Sequence, residues 1–205
     1  MSTLVVAPLR VERAALGHGA VAVGAGPRHA TAAAARLGAL LAAGAHQRVL
    51  IAGVAGGLRA DQQPGDLVIS TTITGPDGST LDCPPATEMA AALAARLPHR
   101  TVHTGPVVDA GRILDGPVRA EFAANGAFAV DAESARLAAA AAAAGLPVLA
   151  VRALSDTPRH PLRSYRIVRN GLTALRSLRA AGGLLADWAG SADPAGAPTR
   201  TEEIG

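Results

Sequence analysis

Short runs of valine, isoleucine and leucine, set between longer alanine-rich runs, leave this chain few folds to choose from. "VLIA" within 48 to 52 and "VLAV" within 147 to 153 show no alternation of apolar and polar residues. Strands of that kind are covered on both faces. "TLVV" (3 to 6), "AVAV" (20 to 23), "DLVIS" (66 to 70), "TVHTGPVV" (101 to 108) and "FAV" (128 to 130) complete the predicted set. Helical patterns fit 28 to 43, 86 to 97, 117 to 124, 132 to 144 and 164 to 188. Such alternation predicts a three-layer α/β/α domain around a central mixed sheet, spanning 1 to 188. The small-residue, proline-containing stretch from 189 to 205 reads as a disordered tail.

At 205 residues, with 49% apolar and 17% charged side chains, the chain can bury one sizeable core. Aromatics are only 2%, so that core is aliphatic. There is no lysine: the 19 basic residues are all arginine, against 16 acids. The sequence pI of about 10.3 therefore reflects arginine chemistry, and no nucleic-acid partner is expected. A single cysteine, Cys83, excludes an internal disulfide. The opening residues lack the charged and apolar segments of a signal peptide. Arg36, Glu133 and Arg136 interrupt the alanine runs, so neither reads as a membrane span. The expectation is a cytoplasmic protein.

In α/β folds, ligands bind beyond the carboxyl ends of the strands. Here those exits carry glycine or acid: "VAVGAGP" (21 to 27), "LIAGVAGGL" (50 to 58), "FAVDAES" (127 to 134, less its first alanine) and "LAVRALSD" (149 to 156). Glycine after a strand lets a ligand approach the backbone. Each exit alone has an ordinary explanation. Asp131 is placed to cap the helix from 132, Glu133 suits a first helical turn, and Asp156 suits a turn. Together they point to one pocket. His18, His29 and His103 form no metal-ligand grouping, so no metal and no cofactor are expected. Arg152 and His160 receive no role.

"GVAGGL", then "PGDLVIS", then "VDAESARLAAAAAAAGLPVLAVRALSDT" resemble, in that order, the purine nucleoside phosphorylase and nucleosidase superfamily. Its methylthioadenosine/S-adenosylhomocysteine nucleosidases carry comparable elements, and the resemblance runs from about residue 3 to 157. Within the superfamily, "GVAGGL" and "FAVDAESARLAAAAAAAGLP" look closest to phosphorylase-like proteins associated with hopanoid biosynthesis. Those are held to remove adenine from an adenosylated hopane lipid. The resemblance implies a nucleoside phosphorylase-like fold and a purine nucleosidase. Asp156 would protonate the departing base, with Ser155 orienting it, and Glu12 matches the water-activating glutamate. Glu133 would hold the ribose, and Gly56 would line the substrate site.

Departures from the pattern bear on the substrate. Ala132 replaces a methionine beside the sugar, Ile113 or Leu114 replaces an aromatic residue near the purine, and Val54 replaces a hydroxyl residue. Such changes suit a large apolar 5′-substituent, so a lipid-linked nucleoside is a candidate beside a small-molecule one. The arginine that phosphorylases place ahead of the glycine-rich loop is missing, which favours hydrolysis, and Arg10 is the candidate phosphate ligand if phosphorolysis operates. A salvage nucleosidase and a non-catalytic nucleoside binder remain alternatives. A homodimer or higher homo-oligomer is expected. The segment from 163 to 188 mixes Arg163, Arg166, Arg169, Arg176 and Arg179 with Leu172, Leu175, Leu178 and Trp188, a basic amphipathic pattern suited to peripheral contact with an anionic membrane or to packing on protein.

Overall fold

A computed structural model describes residues 3–24, 29–44 and 46–190. The chain begins with β1 (Thr3–Ala7), α1 (Arg10–Leu16), β2 (Ala20–Ala22), α2 (Ala30–Ala43) and β3 (Arg48–Gly57). It continues through β4 (Leu67–Thr74), β5 (Thr80–Asp82), α3 (Ala86–Arg96), β6 (Val102–Asp109) and α4 (Val118–Ala124). β7 (Ala129–Asp131), α5 (Ser134–Ala143), β8 (Val148–Asp156) and α6 (Ile167–Gly190) complete it. The mixed α/β expectation holds. α1 and β5 were not anticipated, and α6 runs past 188, so 189 and 190 are helical instead of belonging to a tail. The rest of that tail, the helix start at 28, residues 25 to 27 of the 21 to 27 exit and the Trp188 side chain lie outside the described residues.

The sheet is mixed and closes on itself. β3 runs parallel to β8, β8 antiparallel to β4, β4 parallel to β6, β6 parallel to β7, and β7 antiparallel to β3. Closure depends on β3 changing partner along one edge. Its residues Arg48 to Ile51 pair with β1, whereas Gly56 and Gly57 pair with β7. The register with β8 shifts between Ala55 and Gly56, where the strand bends. β1 and β2 extend the sheet beyond β3, and β5 extends it beyond β4.

Leu50, Ile51, Leu67, Ile69, Leu149 and Val151 fill the interior, as expected of strands apolar on both faces. The helices bury residues three or four apart: Ala33, Leu37 and Leu41 on α2, Leu137, Ala138 and Ala141 on α5, and Ala174, Leu178, Ala181 and Leu185 on α6. α2 packs on α5, and α1 and α3 pack on α6. Small residues let these layers approach closely. A Cβ on Gly182 would lie 2.5 Å from the Leu16 carbonyl oxygen, so the end of α1 rests on the α6 backbone. Truncating a core leucine such as Leu137 costs about 2–5 kcal/mol in comparable interiors. This core holds the C-terminal ends of β3, β7 and β8 together, where the acids are.

Candidate active site

The glycines read as a loop after "LIA" are strand. β3 continues through Gly57, and Gly53, Gly56 and Gly57 all have negative or extended φ. Their value is the space above them. A Cβ on Gly53 would sit 2.9 Å from Glu12 Oε1 and against the Arg152 guanidinium. One on Gly56 would sit 3.0 Å from Asp156 Oδ2 and against Arg119, and one on Gly57 would meet Gln62 and Leu154. The glycine strip lets buried charged groups lie directly on the strand.

Glu12 comes from α1, immediately after β1, and is 1% exposed. Its Oε2 accepts from the Leu9 N–H at 2.7 Å and its Oε1 from the Val54 N–H at 2.7 Å. The first bond closes the start of the helix and the second ties it to β3. Burial pushes the Glu12 carboxyl above the usual carboxylate range, against the Val54 hydrogen bond and Arg152, which pull it down. That makes it a better base near neutral pH.

Asp131 ends β7, and α5 starts at Ser134 instead of 132, with Glu133 at its N-cap; Asp131 Oδ1 still accepts from the Ser134 N–H at 3.0 Å and the Glu133 N–H at 3.2 Å. It also has a second partner that the sequence reading lacked. Arg152 Nε lies 2.9 Å from Asp131 Oδ2, and both side chains are almost fully buried. Arg152 Nη2 donates to Ser134 Oγ, which in turn donates to Asp131 Oδ2. Burial opposes the charge on Arg152, but Asp131, Glu133 and Glu12 outweigh it and raise its pKa. Among the described residues Arg152 Nη1 has no hydrogen-bond acceptor, and it lies beside Glu12 over Gly53. Glu133, the residue before α5, is pushed up to about 8, by burial first and by Asp131 next, with Arg152 opposing.

Asp156 ends β8 and is 3% exposed. Ser155 Oγ donates to its Oδ1 at 2.7 Å. Its Oδ2 is held by Arg119 Nη1, and Arg119 Nη2 donates to the Gly57 carbonyl at 2.6 Å. Arg119 was not anticipated. In "GPVRAEF" it reads as a solvated arginine on a short helix, and nothing local reports that α4 turns it inward.

These groups surround one cavity of about 270 Å³. Glu12, Val54, Gly56, Ile113, Leu114, Ala132, Glu133, Ser155 and Asp156 all line it, with Arg119 and Asp131. Arg10 does not; it is exposed at the start of α1. Leu9 and Leu162 also contribute, and with Leu9 41% and Ile113 69% exposed the cavity has an apolar rim. A second cavity, about 460 Å³, lies on the other side of Arg119, against Leu58, Asp115 and Thr157. Along β3, Glu12 is anchored at Val54 and Asp156 lies over Gly56. The points at which they meet β3 are two to three residues apart, roughly 7–10 Å along the strand.

Solved structures with the same fold include the 5′-methylthioadenosine/S-adenosylhomocysteine nucleosidase of Helicobacter pylori, with a TM-score of 0.70 at 19% identity over 90% of this chain and 96% of that one. The Streptococcus pneumoniae MTA/SAH nucleosidase in complex with 8-aminoadenine gives 0.68 at 20% identity, over 92% and 99%. The futalosine hydrolase of Helicobacter pylori gives 0.70 at 18%, over 89% and 94%. No curated protein matches the chain in sequence. Residues 6–174 match the family described as the phosphorylase superfamily, and to that superfamily the chain belongs.

Proposed function

We propose that the protein is a purine nucleosidase that cleaves the N-glycosidic bond of a 5′-substituted adenosine and releases adenine. The observation that carries this reading is the pair of buried carboxylates, Glu12 and Asp156, spaced along β3 in one cavity with Glu133 also on its wall. As the C1′–N9 bond breaks, Asp156 gives a proton to purine N7 and negative charge on the base is neutralised. Glu12 takes a proton from the water whose oxygen bonds to C1′, and the free Arg152 Nη1 donates to that water. Glu133 bonds the ribose hydroxyls. Burial and Asp131 favour its protonated form, and growing positive charge on the sugar favours its ionised form. The division of labour is that of a glycosidase with acid and base on opposite sides of the bond.

Arg119 has to release Asp156 Oδ2 before that oxygen can serve a purine. The adjoining cavity, which Arg119 also lines beside Asp115, offers it room and a second carboxylate. The apolar rim and the small Ala132 support a bulky apolar 5′-group, with an adenosylated hopane lipid as the specific candidate. Salvage of methylthioadenosine or S-adenosylhomocysteine is the second reading, favoured by the nucleosidases that share the fold. A homo-oligomer, and contact of the basic start of α6 with an anionic membrane, belong to the same proposal. Among the described residues no helix is long and apolar enough to cross a membrane. The test is adenine release from 5′-substituted adenosines, with and without phosphate. Free ribosyl product at a rate independent of phosphate is expected. Ribose-1-phosphate accumulating in proportion to phosphate would establish phosphorolysis and direct attention to Arg10, and no release from any substrate would leave a binding protein.

A further inference from the structure

Gln63, His160, Arg166, Arg169, Asn170 and Thr173 line a separate cavity of about 230 Å³ at the start of α6, sharing no residue with the reaction cavity. No carboxylate lines it. Neither arginine forms an ion pair among the described residues. Arg166 is steered by its neighbour, its Nε donating to the Tyr165 hydroxyl at 2.8 Å. The N-terminus of this 24-residue helix adds partial positive charge. A second and independent feature is Asn170, which is only 7% exposed and whose Nδ2 has no acceptor among the described residues. A buried amide donor without a partner costs stability, roughly 1–3 kcal/mol, unless something accepts from it. Cationic side chains, a helix N-terminus and an unused buried donor converge on one small space.

We propose that this cavity binds a phosphate group, presented either by free phosphate or by a phospholipid headgroup. The two sources share their chemistry, three or four acceptor oxygens with negative charge, which Arg166 and Arg169 meet at the surface and Asn170 meets at the floor. This assignment does not rest on the nucleosidase reading, because the residues and the cavity are distinct.

The experiment titrates the full chain with inorganic phosphate in sulfate-free buffer, by calorimetry and thermal shift, and separately with phosphatidic acid and phosphatidylcholine vesicles by flotation. Arg166→Gln with Arg169→Gln changes only exposed side chains and is expected to weaken binding tenfold or more, the loss typical of a charged hydrogen bond. Asn170→Leu is expected to weaken it as well while leaving the melting temperature equal or higher, because an unsatisfied donor has been removed. A merely structural asparagine would lose stability on the same change. Saturable phosphate binding with this pattern supports the site and identifies free phosphate. The same pattern seen only on phosphatidic acid vesicles supports it and identifies the headgroup. No saturable binding of either probe, or binding that both the arginine pair variant and Asn170→Leu leave intact, overturns it.

Discussion

Asp156→Asn keeps the shape of the side chain and an acceptor for Ser155 but removes the proton that a purine would take. General acid catalysis is worth about 10²- to 10⁴-fold, roughly 3–5 kcal/mol of barrier, and a loss of that order in kcat per folded molecule is expected. Retention of more than about a tenth of wild-type turnover would sink the general-acid role. The Arg119 pair adds a consequence for stability. Removing one partner of a buried pair leaves a charge uncompensated, at a cost of about 3–5 kcal/mol, so Asp156→Asn also lowers the melting temperature. Arg119→Met separates the two effects. If Arg119 must leave before a purine can bind, its loss tightens adenine binding by about tenfold, the competent state no longer being a minor one. Weaker adenine binding in Arg119→Met would instead make Arg119 part of the purine site. Glu133 gives a signature in pH. Its pKa rises from 4.5 unfolded to about 8 folded, so the native state favours the protonated form. Its contribution is fully present below about pH 4.5 and is lost as pH rises through 8. Wild-type melting temperature should therefore fall between pH 5 and 8 more steeply than that of Glu133→Gln. Parallel curves would remove Glu133 from the titrating cluster.

At the scale of elements, the glycine strip of β3 decides whether the charged groups can meet. Gly53→Ala places a methyl group 2.9 Å from Glu12 Oε1 and against Arg152, both buried and unable to swing away. A displacement of about 1 Å in a catalytic group can cost about 10²-fold, and a kcat loss of that size is expected with adenine affinity nearly kept. Equal losses in kcat and adenine affinity would show that the whole site had moved. This strip also marks where reading the sequence reaches its limit. Asp156 and Glu133 drew attention as carboxylates clustered at strand exits, and Glu12 only through the superfamily resemblance. "GVAGG" looked like a turn because glycine most often signals left-handed backbone. Here the need was clearance, which depends on Arg119 and Arg152 arriving over Gly56 and Gly53 from distant parts of the chain. Arg152 was visible inside the strand "PVLAVRA" but received no role, and its partners Asp131 and Ser134 are met only in the fold. α1 escaped notice because "RVERAAL" follows β1 directly, and β5 because "TLD" sits in the turn-rich run "GPDGSTLDCPP".

For the whole molecule, the closed sheet puts the reaction cavity at one end, and the apolar rim decides what can extend out of it. Leu9 and Ile113 are exposed while lining the cavity, and Leu162 adjoins them there. A substrate with adenine near Asp156 and ribose near Glu133 would direct its 5′-group toward this rim. Contacts made there are remote from the breaking bond and stay equal in ground and transition states. They lower KM without raising kcat. Each methylene buried on the rim is worth about 0.8 kcal/mol, close to a fourfold fall in KM. Across a series of 5′-alkylthioadenosines, KM is expected to fall by about that factor per methylene until the chain passes the rim, with kcat level. Ile113→Asp should abolish the trend and leave methylthioadenosine, the shortest member, nearly unaffected. A KM that ignores chain length in the wild type would reject a lipid-linked substrate and leave the salvage nucleosides as the better fit.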